Sequence, residues 1–464
     1  MTEPALGRQR LALVALCLGF FVVLLDATVV NVALEAIRAD VGGTLGDQQW
    51  IVDSYTLVLA AGMLGAGSAG DRFGPRRVYL VGLLVFALAS VGCALAPGIG
   101  ALVVARAVQG AGAAALLPCS LALIVRQFPH PMQRAHALGV WGGVSGIGLA
   151  SGPALGALLL ATVGWRAIFL LNVPVCAVAA VLLWAFVTEG DRRAVGRFDL
   201  AGLVLGTASL GCLTAGLIEL GQRAAGAVPL LVLSGGCLLF GLFVLVEARH
   251  PAPMVPVGMF RRPAFSPAVT VGFLFNFCLY GALLCVSLVF QAYLRLPAFQ
   301  AGLLVLPMTV TVAVGAALSG RLTARYGPRR PMMLGYCCGV AGSVVTAVGG
   351  TAGSLPVMVA GATLLGFCSF AMPAMTSVVM AAADPERPAL ASGVLNSARQ
   401  TGGALGVAAL GALLAASGPT TAALVPPLAA VVVAYGVAAA CTLVATRQAR
   451  PAAVTASTRR GSGA

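Results

Sequence analysis

Long apolar runs follow one another along almost the whole chain, and this feature constrains the fold more than any other. A membrane-spanning helix needs ~20 predominantly apolar residues. Fourteen such runs can be read, with approximate centres at residues 22, 60, 87, 110, 148, 178, 210, 238, 278, 310, 340, 367, 403 and 433. Only 9% of the 464 residues are charged, which is too few to cover a soluble fold of this length. The sequence therefore predicts an all-α integral membrane protein.

The distribution of arginine predicts how the chain is oriented. All 28 basic residues are Arg, and 22 of them fall in cytoplasmic segments if the N-terminus is cytoplasmic. Four fall outside and two, Arg106 and Arg399, lie within spans. Since cytoplasmic loops carry the excess of basic residues, we expect fourteen spans with both termini in the cytoplasm. Twelve spans would keep the same parity, and the pair centred at 210 and 238 is the weakest.

Several kinds of chemistry are excluded by composition. The chain has no Lys, so it lacks a Walker A loop, a Schiff-base lysine and a Ser-x-x-Lys dyad. None of the 12 Cys forms a CxxC pair, and the three His lie in short polar loops. The Arg clusters are small and separated by apolar runs, which indicates membrane topology rather than nucleic-acid binding. We therefore expect no enzyme activity, no metal site, no cofactor and no nucleic-acid partner.

An internal repeat predicts the architecture. Gly67–Arg77 (GSAGDRFGPRR) and Gly320–Arg330 (GRLTARYGPRR) match at six of eleven positions, and LGALL occurs at Leu155–Leu159 and Leu410–Leu414. A repeat of about 254 residues predicts two homologous six-helix bundles with a substrate path between them. We expect the bundles at 1–190 and 251–450, two central helices at 191–250, and a disordered cytoplasmic tail at 451–464.

The repeated loop itself predicts a conformational latch. Gly67 allows close helix approach, Gly74-Pro75 favours a tight turn, and Asp71 can accept hydrogen bonds from Arg or stabilise a helix N-terminus. The second copy carries Ala324 where the first has Asp71. The alternative is an ordinary basic loop. The candidate latch residues are Gly67, Asp71, Arg72, Gly74, Arg76, Arg77, Arg325, Gly327, Arg329 and Arg330.

The order of five segments resembles one family. They are LLDATVVNVAL (Leu24–Leu34), the loop at Gly67–Arg77, ARAVQGAGAAALLP (Ala105–Pro118), GIGLASGPALGA (Gly146–Ala157) and GWRAIFLLNVP (Gly164–Pro174). Together they are similar to the 14-spanner drug:proton antiporters of the major facilitator superfamily. Further segments, such as GFLFNF (272–277) and FQAGLLVLPM (299–308), resemble actinobacterial antibiotic-resistance exporters. It departs from that pattern at Glu35, Ala157 and Ala324.

The resemblance implies a function. It implies a proton-coupled exporter of drugs or antibiotics in the cell membrane, powered by the proton gradient, and we expect it to be a monomer in the lipid bilayer. One alternative keeps the fold and changes the cargo to another small metabolite. A second alternative is a membrane sensor or scaffold that has lost transport.

Charged residues within spans are the candidate coupling groups, because they are costly in hydrocarbon unless paired or wet. At ~1.5 Å per residue, Asp26 and Arg106 reach a similar depth, ~8–9 Å below the outer edge of the membrane core. We predict that they face the central cavity as a proton-coupling pair. Asp53 is the second candidate acid. The alternative for Asp26 is a capping or packing carboxylate.

A glycine face forms the next candidate element. Gly148, Gly152 and Gly156 recur every four residues, and Pro153 stands beside the middle one. Small residues at this spacing favour close helix packing, and Pro permits a bend. The resemblance implies that this helix acts as a hinge and a seal between the halves, and the alternative is packing only.

The second half offers polar candidates for a substrate cavity rather than a buried acid. Arg399 either lines this cavity or pairs with a backbone carbonyl. Aromatic residues at helical spacing are more typical of packing than of a drug pocket. The cavity candidates are Asn276, Tyr280, Gln291, Asn396, Arg399 and Gln400.

Overall fold

The described part of the chain is helical. The computed structural model describes residues 3–42, 45–188, 200–222, 227–250, 253, 255, 257–262, 264–384, 387–418 and 420–448, and no strand occurs among them. The predicted tail at 451–464 and the beginning of the central segment lie outside the described residues.

In its described residues, the first half of the chain contains seven helices. They are α1 (Glu3–Val41), α2 (Leu45–Phe73), α3 (Pro75–Ala94), α4 (Ile99–Gln127), α5 (Pro131–Thr162), the short α6 (Arg166–Leu170) and α7 (Asn172–Phe186). Helices α6 and α7 run on as one apolar span. Apolar runs with few internal breaks satisfy every backbone hydrogen bond within the helix, as a lipid environment requires.

Nine further helices follow in the part of the chain that the structure describes. The central pair is α8 (Leu200–Gln222) and α9 (Ala227–Arg249). The second half contains α10 (Phe265–Leu288), α11 (Ala298–Tyr326), α12 (Arg329–Thr351), α13 (Leu355–Gly366), α14 (Ala371–Ala382), α15 (Pro388–Ala416) and α16 (Val425–Gln448). Short 3-10 turns lie at Val257–Arg261, Phe367–Phe370 and Thr421–Leu424, and a π turn extends α10 through Val289–Tyr293.

Eleven helices in the described residues are long and apolar enough to cross a membrane, and a shorter apolar helix covers Ala201–Leu213. Their outward faces carry many exposed apolar side chains, such as Leu88, Trp184 and Leu238. Large exposed apolar surfaces of this kind are typical of contact with lipid. The chain is a multi-pass integral membrane protein.

The halves meet mainly through two pairs of helices, with further contacts of α4 with α15 and of α5 with α14. Helix α5 packs along α11, and α2 packs along α15. Helix α8 packs against both α2 and α15. The turns Gly74–Arg77 and Gly327–Arg330 lie at the ends of α2 and α11, and α5 and α15 begin at the same end. We call this end of the molecule the GPRR end. It is the end at which the halves make the close contacts described below.

Candidate functional site

Asp26 and Arg106 form an ion pair inside the first half. Asp26 lies on α1 and Arg106 on α4, and Arg106 Nη1 donates to Asp26 Oδ2. The Asp26 side chain is 0% exposed and that of Arg106 is 1% exposed. Two charges taken out of water are stable only if they are paired and their remaining polar atoms are hydrogen-bonded. Neighbouring side chains supply hydrogen bonds to most of the remaining polar atoms of the pair.

Amide and hydroxyl side chains from three helices complete the network. Asp26 Oδ1 accepts from Gln109 Nε2 at 2.9 Å and from Asn172 Nδ2 at 2.7 Å. Gln109 Nε2 also donates to Ser90 Oγ at 2.8 Å, and Gln109 Oε1 accepts from Arg106 Nη1 at 2.7 Å. Helices α1, α3, α4 and α7 are therefore tied together at one carboxylate.

The guanidinium has further partners on α2. Arg106 Nε donates to the Ile51 carbonyl at 3.0 Å, and its Cζ lies 4.2 Å from the ring centroid of Tyr55. A cation over an aromatic face is stabilised when it is desolvated. The Tyr55 hydroxyl donates to the Val23 carbonyl at 3.1 Å. The ring that covers Arg106 is thus held in place by α1.

Both side chains are buried in this structure, and the prediction that Asp26 and Arg106 face the central cavity as a proton-coupling pair stays a prediction. The two side chains do meet, but the network encloses them completely. Gln109, Ser90, Asn172 and the ring of Tyr55 occupy the space between the helices. These residues are not among the predicted site residues, although Gln109 stands one turn after Arg106 and Asn172 lies in the segment Gly164–Pro174. A polar side chain in a strongly apolar run was the available signal.

Asp53 lies close to the same region but at a different level of burial. It is half-buried on α2, two residues after Ile51, whose carbonyl accepts from Arg106. The hydrogen bonds to Asp26 come from α4 and α7 rather than from α2. Its assignment as a second coupling acid stays a prediction.

Asp71 links the two halves at the GPRR end. Its carboxylate oxygens accept from the backbone N–H groups of Ala389, at 2.9 Å, and Leu390, at 2.7 Å. These amides belong to the first turn of α15, where backbone donors have no partner within the helix. The carboxylate also meets the positive end of the α15 dipole. The sequence allowed Asp71 either to accept hydrogen bonds from Arg or to stabilise a helix N-terminus, and in the structure its carboxylate lies at the N-terminus of α15.

Gly67 makes the Asp71 contact possible. A Cβ at Gly67 would lie 2.6 Å from the Ala389 carbonyl oxygen, closer than a real side chain can approach. On the opposite helix, a Cβ at Gly393 would lie 2.8 Å from the Met63 carbonyl oxygen. Helices α2 and α15 therefore pack backbone against backbone beside the cap.

The remaining latch candidates divide into turns and surface cations. Gly74 and Gly327 both have positive φ, 95° and 77°, and each precedes a Pro. Arg76 Nη2 donates to the Trp184 carbonyl at 2.8 Å, within the first half. Arg325 and Arg330 both lie over the ring of Tyr326. Arg72 lies over Phe73, and Arg77 and Arg329 follow at the same end of the molecule.

Helix α5, the predicted hinge and seal, lies along α11 of the other half, but its glycine face at 148, 152 and 156 meets α1, and the hinge role stays a prediction. Gly148 and Gly156 pack on α1, where an added Cβ would lie 3.0 Å from the Phe21 carbonyl oxygen and from Val29 Cγ2 respectively. Gly152 contacts Thr28 of the same helix. The face is directed into its own half because α1 lies against it. Helix α5 is continuous through Pro153, whose side chain lies outside the described part.

The contact between the halves uses glycines earlier in α5. A Cβ at Gly320 of α11 would lie 2.5 Å from the Cα of Gly139, and a Cβ at Gly143 would lie 3.0 Å from that of Ala317. Gly146 faces Ala313 in the same way. These residues form what we call the α5–α11 seam: Gly139, Gly143 and Gly146 against Ala313, Ala317 and Gly320. The sequence pattern does not single them out, because glycine occurs throughout α5.

The second-half candidates are only partly brought together. Arg399 Nε donates to Asn276 Oδ1 at 3.4 Å, so its partner is a side chain rather than the backbone carbonyl that was one alternative. A Cβ at Gly403 would lie 3.1 Å from Tyr280 and 3.8 Å from Asn276, which places both on the face of α10 that meets α15. Gln400 is half-buried on the turn after Arg399.

Two of the cavity candidates do not join this group. Asn396 Nδ2 donates to the Ser392 carbonyl of its own helix at 3.0 Å. Gln291 is exposed and donates to Ser287 Oγ at 2.9 Å. Within the described residues, no group of three or more His, Cys, Asp or Glu could hold a metal ion.

Comparison with known proteins identifies relatives across most of the chain. It is 37% identical over 418 residues to the methylenomycin A resistance protein of Streptomyces coelicolor, covering 89% of this chain and 88% of that protein. It is 35% identical over 412 residues to the tetracenomycin C resistance and export protein of Streptomyces glaucescens, covering 88% and 76% respectively.

Solved structures with low sequence identity share the fold. The human organic anion transporter MFSD10 (TETRAN) has a TM-score of 0.63 at 18% identity, covering 97% of this chain and 100% of that one. The proton:xylose symporter XylE has a TM-score of 0.65 at 13% identity, covering 95% of each. The family model of the Major Facilitator Superfamily matches residues 16–407. The chain therefore belongs to the Major Facilitator Superfamily and is a multi-pass protein of the plasma membrane.

Proposed function

We propose that this protein exports drugs or antibiotics from the cell in exchange for protons. The relatives that match about nine-tenths of the chain are named for antibiotic resistance and export. The observation that carries the proton-coupled part of the proposal is the enclosed Asp26–Arg106 pair. A carboxylate that is closed off in one conformation can exchange a proton only in another, and this is the requirement for coupling.

The coupling step uses the charge of Asp26. While Asp26 is ionised, it neutralises Arg106 and holds α1, α3, α4 and α7 together. A proton on Asp26 leaves the guanidinium charge without its counter-ion in a dry site, which is costly. The first half then gains by rearranging so that Arg106 meets water or substrate. Proton binding thereby biases the choice between two conformations.

The Asp71 cap and the α5–α11 seam stabilise the conformation closed at the GPRR end. Opening that end separates Asp71 from the first turn of α15 and Gly139 from Gly320. These are small, discrete contacts that can be made in one state and broken in another. The other latch arginines surround the same end.

We further propose fourteen spans with the GPRR end and both termini in the cytoplasm. At ~1.5 Å per residue, α5, α8 and α15 are ~48, ~34 and ~43 Å long, more than the ~30 Å hydrocarbon core. Together with the eleven apolar spans they make fourteen. The proposed bundles are 1–190 and 251–450, with a central pair of helices at 191–250. Helix α8 of this pair packs on α2 of the first bundle and on α15 of the second, which supports its placement as a separate element. The protein acts as a monomer and needs no cofactor.

The test of export is growth of a pump-deficient bacterium that expresses the protein. We expect a raised resistance to some members of a panel of amphipathic antibiotics, and an intracellular drug level that rises when a proton uncoupler is added. Resistance that survives the uncoupler would contradict proton coupling. Unchanged resistance across the panel, with transport of another metabolite or of none, would contradict drug export.

A further inference from the structure

Two grooves at the GPRR end share one mouth. The first, about 650 Å³, lies between the ends of α1, α4, α5 and α11, and its polar lining includes Arg10, His136, Arg321 and Arg325. The second, about 540 Å³, runs along α1 and α5 and shares Arg10, Leu13 and His136 with the first. Among the described residues that line either groove, none is acidic.

The second groove is apolar and opens towards lipid. Beyond its basic mouth it is lined by Val14, Leu18 and Phe21 of α1 and by Val144 and Ile147 of α5. Val14 and Ile147 are 45% and 56% exposed. From Arg10 to Phe21 the groove follows α1 for ~16 Å, about half of a ~30 Å hydrocarbon core. Its length therefore matches one leaflet.

The internal repeat explains why the mouth is open. Asp71 of the first loop copy caps the first turn of α15, but the second copy has Ala324 at the matching position. Ala324 lines the mouth beside the beginning of α5. Helices α5 and α15 both begin with Pro, at Pro131 and Pro388, and neither N-cap residue, His130 or Arg387, caps its own helix with its side chain. The carboxylate that one half supplies is missing from the other.

We infer that an anionic phospholipid binds here, with its phosphate at the mouth and one acyl chain in the apolar groove. The phosphate would supply the negative charge that Asp71 supplies in the other half. Arg10 and Arg321 attract it from opposite halves of the protein, and basic pockets between spanning helices are suited to anionic headgroups. The inference depends on neither the cargo nor proton coupling.

The bound lipid would contact both halves beside the α5–α11 seam. Arg10 and His136 belong to the first half and Arg321 to the second, and Gly320 of the seam precedes Arg321 directly. The lipid therefore stabilises the conformation closed at the GPRR end.

The test is lipid retention by the full-length protein, measured by native mass spectrometry with phosphatidylglycerol and phosphatidylcholine of identical acyl chains. We expect the wild type to retain one phosphatidylglycerol in preference to phosphatidylcholine. The double variant Arg10→Ala/Arg321→Ala should bind it about thirtyfold more weakly, since each surface charge contributes about fivefold. The control Arg8→Ala/Arg249→Ala removes two exposed cations outside the grooves and should bind like the wild type.

Two further variants separate headgroup from chain recognition. Ala324→Asp supplies the missing carboxylate and should abolish the phosphatidylglycerol preference, while Val144→Trp fills the apolar groove and should weaken retention with every charge in place. Glycerol phosphate, which has no acyl chain, should not compete. Equal retention of the two lipids by the wild type, or equal losses in the test and control double variants, would overturn the inference. A wild-type elution profile in detergent checks that each variant is folded.

Discussion

At the scale of single residues, the charge of Arg106 is what makes the first half sensitive to Asp26. The guanidinium donates to Asp26, Gln109 and the Ile51 carbonyl and lies over Tyr55. Among the described residues Arg106 Nη2 has no hydrogen-bond partner. The neutral groups around Arg106 orient it, and Asp26 supplies a carboxylate in direct contact with its charge.

This arrangement predicts opposite effects for single and double substitutions. Asp26→Ala should lower the free energy of unfolding by about 3–5 kcal/mol, because it leaves a buried charge unpaired. Asp26→Ala/Arg106→Met should recover most of this loss, since neither charge remains. Thermal unfolding in detergent measures both. The control is Glu35→Ala, which breaks the exposed pair with Arg38 and should leave the melting temperature near that of the wild type. A double variant less stable than the single variant would contradict the account.

The sequence predicted the Asp26–Arg106 pairing from depth along the helices, since both residues lie at known distances from span ends. It did not predict the enclosure. Burial depends on which neighbouring side chains turn inward, and Ser90 of α3 and Asn172 of α7 are separated from Asp26 by distances along the chain that no local pattern encodes. For the same reason the spacing of the glycines at 148, 152 and 156 predicts close packing but does not identify α1 as the partner helix.

At the scale of helices, closure at the GPRR end depends on two close approaches, α2 on α15 and α5 on α11. Both exploit residues without a side chain at the point of contact, Gly67 in the first and Gly139 with Gly320 in the second. Interfaces of small residues let helix backbones pack directly in a membrane. A single added methyl group is therefore a sharp probe.

Gly139→Ala should prevent full closure of the α5–α11 seam. Its Cβ would overlap the Cα of Gly320, and neither backbone can yield without moving a helix. We expect faster amide hydrogen exchange in residues 135–146 and 313–320, and drug efflux lowered by about tenfold or more. Gly436→Ala on α16 is the matched control, because nothing lies within 4 Å of its added Cβ. Wild-type exchange in Gly139→Ala would show that the seam is not a closing contact.

Asp71→Ala should weaken the same closed state by removing the α15 cap. Loss of a capping carboxylate costs about 1 kcal/mol, so the ratio of closed to open molecules should fall about fivefold. The distance between spin labels on α2 and α15 at the GPRR end measures this ratio. Asp384→Ala, a half-exposed acid paired with Arg262, serves as the control. An unchanged distance distribution for Asp71→Ala would show that the cap does not contribute to the latch.

At the scale of the whole molecule, the repeated halves are equivalent in topology and unequal in chemistry. The buried ion pair and the Asp71 cap are built on first-half helices, whereas the second half offers Arg399 with Asn276 and has Ala324 where the cap would be. The sequence predicted this two-fold architecture from one eleven-residue repeat. The asymmetry follows from substitutions within that repeat and within the helices.

The proposed topology makes a direct prediction for reporter fusions. With fourteen spans, a fluorescent protein fused after residue 448 should fold in the cytoplasm and fluoresce, and a phosphatase inserted between α8 and α9 should be active outside. An inactive phosphatase at that position, with the C-terminal fusion still fluorescent, would mean that the central pair does not cross the membrane and that twelve spans remain.

The central claim is that Asp26 carries the exchanged proton. The most direct measurement is drug uptake by inverted vesicles under an imposed pH gradient, with a compound identified from the antibiotic panel, for the wild type and Asp26→Asn. We predict that the wild type accumulates the compound in proportion to the gradient, while Asp26→Asn only equilibrates it at any gradient. Gradient-driven accumulation by Asp26→Asn equal to that of the wild type would contradict the claim.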